Sequence, residues 1–303
     1  MPKEITHWIL AERALERLPE GSRLAAIIAR HREAYLGGAV LPDTLAHIFQ
    51  GPYHPTARVL SQRFHDAPGN SYQPLINAEL LFPDGMPPAL FACFLGVVSH
   101  MEADIALHPY VFAATGDAGI GEHYRLETAI DVSFLQRGCA PKQRRLDRLL
   151  GAPAREVLVS AAGLLFDPEG ELPRQALEQS LRLHCRFQSM YDRAFWKLAV
   201  RLLAKVCGSP FREQRHLFYP LRGASKRGSS TRGLLEAGGE VGWHHPETGE
   251  LNSASLDDMA DQAVERTVAL FLRIESAGTL AAALATQPGE NLLTGLSGVV
   301  KES

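Results

Sequence analysis

The chain has 303 residues, 46% hydrophobic and 21% charged, which is the makeup of a globular protein with enough length to bury a large core. A formal net charge of -3 gives no sign of strong attraction to nucleic acid or anionic lipid, weighs weakly against a general nucleic-acid binder and leaves small phosphate esters open. The start, MPKEITHWILAERAL, lacks the apolar stretch and cleavage site of a signal peptide, and no run reaches the roughly 18 apolar residues of a membrane span.

The apolar spacing predicts a first helix over 3–18, carrying His7, and a second from Ser22 to Tyr35 that Gly37-Gly38 ends. In GGAVLPDTLAHIF, Asp43 follows Pro42, so the chain turns there and Asp43 is placed to cap Thr44–Phe49. Residues 53–69 hold His54, His65 and the doublet His65-Asp66, and a short helix is expected over 72–82. A long helix starts near Pro88 and reaches at least His108, where Pro109 is expected to break or kink it. Gly116, Gly119 and Gly121 lead into a helix over about 122–137. Short helices follow over 142–150 and 155–166, then one long amphipathic helix from Leu172 to Val206. Residues 221–242 are rich in Gly and Ser, with Arg222, Lys226, Arg227 and Arg232, and read as a mobile surface loop. His244-His245 reads as a solvated pair, 256–275 is a closing helix with Ser255 or Asn252 near its cap, and the tail after Gly278 reads as loosely held.

No strand series or internal repeat emerges, so the fold class is all-α: a single multi-helix domain with a metal cluster in a cleft between helices. Residues 1–140 would form the metal-binding helical core and 141–303 additional helices of the same domain. Cys93, Cys139, Cys185 and Cys207 are far apart in apolar surroundings, which predicts free buried thiols and a cytoplasmic address.

The chemistry concentrates between Phe91 and Asp131. His100, Asp104 and His108 recur every four residues; on a helix each such step drifts only about 40°, so the three share one face. His123 and Glu127 repeat that spacing on the next helix. Two such sets aim imidazoles and carboxylates at a common centre, and this donor set without thiolates suits catalytic zinc better than structural zinc. Asp131, one turn beyond Glu127, is either a partner that orients a ligand or an ordinary helix acid.

The pattern GVVSHMEADIALHPYVF followed by GEHYRLETAID resembles the zinc-dependent phospholipase C family, which is related to the S1/P1-type nucleases. His7 on the first helix, the G-G-A-x-x-P-D segment ending in Asp43, and His65 in RFHD extend the resemblance over residues 7–131. It implies an all-helical enzyme with two or three Zn²⁺ ions in a cleft. Asp43, His65, His100 and Asp104 would surround one ion, and His108, His123 and Glu127 a second. His7 would join Asp104 on a third. His54 and His47 compete with His65 for the intermediate position. The chain departs from secreted members, in which an N-terminal tryptophan completes the third site. Here Trp8 follows His7, and Met1 or Pro2 would have to complete that site if it fills.

The function these residues imply is zinc-dependent hydrolysis of a phosphodiester, with a metal-held hydroxide attacking phosphorus and Asp43 as proton acceptor as well as ligand. The substrate would be a phospholipid headgroup or a soluble ester. A nuclease, with Tyr53, Phe64 and Tyr110 as platforms for bases, is the less favoured enzyme reading. A phosphohydrolase built on His65-Asp66 ranks below it, and a non-catalytic helical protein fixed by zinc is the alternative outside enzymes.

Overall fold

The computed structural model describes residues 3–116, 118–207, 209–220 and 242–297. Its axis is helix α6, Pro88–Thr115, most of whose residues are buried. This helix is long and apolar enough to cross a membrane, yet its neighbours bury its most apolar stretch, as expected of a core helix. Around it lie α1 (Glu4–Glu16), α2 (Arg23–Arg30), α3 (Arg32–Gly38), α4 (His54–His65), α5 (Gln73–Glu79), α7 (Ile120–Gln136), α8 (Leu146–Leu149) and α9 (Ala152–Phe166). Then come α10 (Arg174–Gln188), α11 (Ala194–Val206), α12 (Ser209–Gln214), α13 (Leu256–Ala277) and α14 (Leu280–Leu284). A two-residue antiparallel pairing, Trp243–His244 with Leu251–Asn252, is the named sheet among the described residues. The fold class is all-α, as the sequence predicts.

The closest packing is between α3 and α6, and glycine makes it so. A Cβ on Gly38 would lie 2.0 Å from the Cys93 carbonyl oxygen, and one on Gly96 would lie 2.0 Å from the Tyr35 oxygen. Gly37 and Gly38 close α3, as the sequence predicts, and Gly38 also lets two backbones touch. The contact carries Ala39 to the flank of α6, where its carbonyl oxygen meets His100.

Other expectations change in detail. The helix expected over 22–35 is two, broken at His31, whose backbone leaves the helical region at φ -123° and ψ 38°. Ser22 caps the first of them through the Ala25 N–H. The helix expected over 172–206 is also two, separated at 189–193, where the Tyr191 carbonyl accepts from the Tyr219 N–H instead of a helical partner. Helix α6 runs through Pro109 rather than stopping. Proline leaves the Ile105 carbonyl without its helical donor, and Gly295 packs against that oxygen so closely that a Cβ would lie 2.7 Å away.

The described part of the tail, 279–297, is not loose. Leu280, Leu284 and Leu292 are fully buried in the core. Ser255, not Asn252, caps α13, through a reciprocal pair of bonds with Asp258. All four cysteines are free, but only Cys93 and Cys185 are buried; Cys139 is half-buried and Cys207 exposed. The segment 221–241, with Arg222, Lys226, Arg227 and Arg232, lies outside the described residues.

Candidate metal centre

Helix α6 places His100, Asp104 and His108 on its inward face, all three fully buried. Four other elements close on them. Helix α1 brings His7, the turn after α3 brings Asp43, and the last residue of α4 brings His65. Helix α7 brings His123 and Glu127 to the His108 end. The eight residues form three groups: His7 with Asp43 and His100, His65 with the same His100 and Asp104, and, sharing no member with these, His108 with His123 and Glu127. Within each group the donor atoms lie within 4.8 Å of one another.

The second nitrogen of three rings fixes what the first can do. His100 Nδ1 donates to the Ala39 carbonyl at 3.0 Å, His65 Nδ1 to Ser61 at 2.7 Å, and His108 Nδ1 to Leu292 at 2.6 Å. A carbonyl only accepts, so in each neutral ring the lone pair sits on Nε2 and points into the cleft. This is the outer support that orients metal-binding histidines in general. The Leu292 contact explains why the tail is packed: it aims His108.

Inside the cleft the usual hydrogen bonds are missing. Among the described residues, no hydrogen-bond partner meets Nε2 of His7, His65, His100 or His108, Oδ1 of Asp43, or either carboxylate oxygen of Asp104. Burying so many polar atoms unpaired would cost several kcal/mol at about 1–3 kcal/mol each. Their separations have another meaning. Asp104 Oδ1 is 3.5 Å from His7 Nε2, its Oδ2 is 3.1 Å from His100 Nε2, and Asp43 Oδ1 is 3.6 Å from His65 Nε2 and 3.9 Å from His100 Nε2. Two ligands held about 2.0–2.1 Å from one tetrahedral ion lie about 3.3–3.4 Å apart. The donor set and its spacing fit divalent zinc. Asp104 offers one oxygen to the His7 side and the other to the His100 side, which suits a bridge.

Electrostatics favour cation binding. Burial pushes His7 down to about 3, His108 to about 4 and His123 to about 2, so these rings are neutral at pH 7. Burial pulls His100 down too, but Asp104 and Asp43 outweigh it and raise its pKa. Burial alone would raise Asp43, yet His100, His65 and His7 hold it at about 2. Both facing carboxylates therefore remain ionised, as Asp104 is also held well below the usual range by His108 and His100 against its burial.

The competitors for the His65 position go elsewhere. His54 opens α4 while His65 closes it, and twelve helical residues span roughly 18 Å. His47 turns to stack on His184. Asp66 faces Asn291 rather than the cleft, which leaves the His65-Asp66 doublet without its second member there. His244 is exposed, and His245 meets the Thr294 carbonyl at 2.8 Å. Met1 and Pro2 lie outside the described residues.

Sequence reasoning left Asp131 undecided. It accepts from Thr6 N at 2.9 Å, Thr6 Oγ1 at 2.6 Å and Tyr219 Oη at 2.6 Å. Asp131 thus anchors α1 next to His7, so it positions a candidate ligand from a different helix. Nothing in the spacing could reveal that, because the contact spans 125 residues.

Helical architecture and a buried imidazole–carboxylate cleft define the class, a helical protein with candidate transition-metal sites of nitrogen and oxygen donors. The family model described as zinc dependent phospholipase C matches residues 6–162, slightly more than half the chain and all eight candidate ligands. The chain belongs to the zinc-dependent phospholipase C family. No curated protein and no solved structure matches it.

Proposed function

We propose that the protein is a zinc-dependent phosphodiester hydrolase of the phospholipase C type, acting on the headgroup diester of a phospholipid. The carrying observation is the cleft of buried, mutually facing donor atoms spaced like ligands, inside the family's matched segment. Asp43, His65, His100 and Asp104 would hold one ion and His108, His123 and Glu127 another, with His7 and Asp104 available to a third. Zinc there would supply Lewis acidity toward a phosphoryl oxygen and lower the pKa of water from about 15.7 toward 7.

The chain's own residues do the rest. Among the described residues, His108, His123 and Glu127 are three protein donors, which would leave a fourth tetrahedral position for water or substrate. That open position supports catalysis over a purely structural metal. Asp43 and His123, at 8% and 9% exposure, are the least buried of the eight and mark the side on which substrate would enter. Asp43, ionised and at that rim, would orient the attacking water and accept its proton. The buried walls around Asp104 and His100 exclude bulk water and strengthen each charge interaction inside.

The nuclease reading needs aromatic faces beside the cleft. Phe64 is instead buried edge-on against Phe166, and Tyr110 packs on Trp243, which leaves half-buried Tyr53. A lipid diester is the better substrate on that ground. The test is a pair of variants assayed on bis-p-nitrophenyl phosphate after zinc reconstitution. His123→Ala with Glu127→Ala is expected to lose an ion and nearly all activity. Asp43→Asn is expected to fall by about 100-fold or more in kcat. Full metal content in the first, or full activity in either, would refute the assignment.

A further inference from the structure

A second group of donors lies outside the eight. Glu4 on α1, His47 at the end of the 3-10 turn Thr44–His47, and His184 on α10 each bring one donor atom to within 4.8 Å of the others. Glu4 and His184 are buried and His47 is half-buried. The two rings stack with centroids 4.1 Å apart and planes 15° apart.

The surroundings orient these groups as they orient the central ligands. His47 Nδ1 donates to the Asp43 carbonyl at 3.1 Å, so its lone pair is on Nε2. His184 Nδ1 lies 3.0 Å from Thr44 Oγ1, a hydroxyl within 3.5 Å of the Val40 carbonyl to which it can donate. In the tautomer whose Nδ1 donates to that hydroxyl, His184 has its lone pair on Nε2, facing Glu4 Oε1 at 3.3 Å. Two acceptors face each other there, at a distance long for a charge-assisted hydrogen bond of about 2.7–2.9 Å. It is the distance between two ligands of one tetrahedral ion, about 3.3–3.4 Å. The other oxygen of Glu4, Oε2, is buried with no hydrogen-bond partner among the described residues. The neighbouring cation is aimed away: the Lys3 ammonium donates to the Leu217 carbonyl and sits 3.8 Å from the Tyr191 ring centroid.

We propose that Glu4, His47 and His184 form a mononuclear site for a divalent first-row transition ion, Zn²⁺ foremost, separate from the central cleft. Two imidazoles and one carboxylate disfavour Mg²⁺ and Ca²⁺, which take oxygen ligands. Three donors leave a further position on the half-buried His47 side, through which the ion enters. Two of the three donors lie outside the family's matched segment: Glu4 precedes residue 6 and His184 follows residue 162. The ion would tie α10 to the first helix and to the turn that carries Asp43, against which α10 already packs.

The test is metal stoichiometry, so it stands apart from the hydrolase reading. Full-length protein is stripped with chelator, loaded with Zn²⁺ alone, desalted and counted by elemental analysis. Wild type is compared with His47→Ala, which truncates a half-buried ring, and with Glu4→Gln, which keeps shape and hydrogen bonding. Each variant is expected to hold one ion fewer than wild type, and the double variant also one fewer. Asp104→Asn is expected to lose central ions and retain this one. Equal counts in wild type and Glu4→Gln would show that the trio is a hydrogen-bonded cluster and overturn the proposal. So would loss of every ion in Asp104→Asn. An inactive protein that still shows the one-ion difference upholds the site while refuting the hydrolase reading.

Discussion

At the residue scale, the histidines matter through their lone pairs. His7, His108 and His123 have pKa values of about 3, 4 and 2 in the folded chain, against about 6.5 when unfolded. A depressed value means that the unfolded state binds these protons first as pH falls. Their contribution to stability is therefore present above about pH 6.5 and is lost progressively below it, toward each folded value. Metal-free protein is expected to show a falling Tm between pH 7 and pH 5, with His100, shifted upward, opposing that trend in part. A metal-free Tm that is flat or rises over that range would contradict the burial of neutral rings. Zinc binding at pH 7 should accordingly release few protons, because burial already keeps His7, His108 and His123 neutral. Calorimetry in buffers of different ionisation enthalpy reads that number. Most of these residues were legible from spacing alone, because i, i+4 repeats on α6 and α7 put donors on one face. The partners that set their tautomers, Ala39, Ser61 and Leu292, were not legible, since a backbone carbonyl carries no residue-type signal.

At the scale of elements, two glycines hold the frame. Gly38 and Gly96 let α3 and α6 meet backbone to backbone, and that contact delivers the Ala39 carbonyl to His100. Gly96→Ala would place a Cβ 2.0 Å from the Tyr35 oxygen, so the helices must part. The expected cost is about 1–3 kcal/mol or more in denaturant unfolding, with weaker retention of zinc. An unchanged midpoint would show that the helices can separate freely. Asp131→Ala should act at a distance, releasing Thr6 and Tyr219 and loosening His7 on α1, at about 1–3 kcal/mol for the unpaired buried donors. A variant of wild-type stability and zinc content would remove its positioning role. The helix end at the Gly37-Gly38 pair was legible because glycine usually ends helices, but the close approach to α6 shows only in the facing backbone. The breaks at His31 and at 189–193 were hidden for a similar reason: the apolar period continues across them while tertiary contacts redirect the chain.

At the scale of the whole molecule, the cleft draws on segments from α1 to the tail after α13, so metal and fold should be coupled. Removing zinc leaves Asp104 and Asp43 facing each other's partners without a cation, and a large drop in Tm is expected on chelation, reversed by Zn²⁺. The all-helical class and the family were readable from the first 131 residues; the packed tail was not, because its role rests on one carbonyl and three buried leucines. The central claim is that this cleft is a zinc phosphodiesterase centre. Its most direct test is elemental analysis coupled to hydrolysis of bis-p-nitrophenyl phosphate, phosphatidylcholine vesicles and single-stranded DNA, in wild type and Asp104→Asn. The account predicts bound zinc that Asp104→Asn loses, and hydrolysis of the first two substrates that disappears with it. Purified protein that takes up no zinc, or that loads zinc and cleaves none of the three, would contradict it.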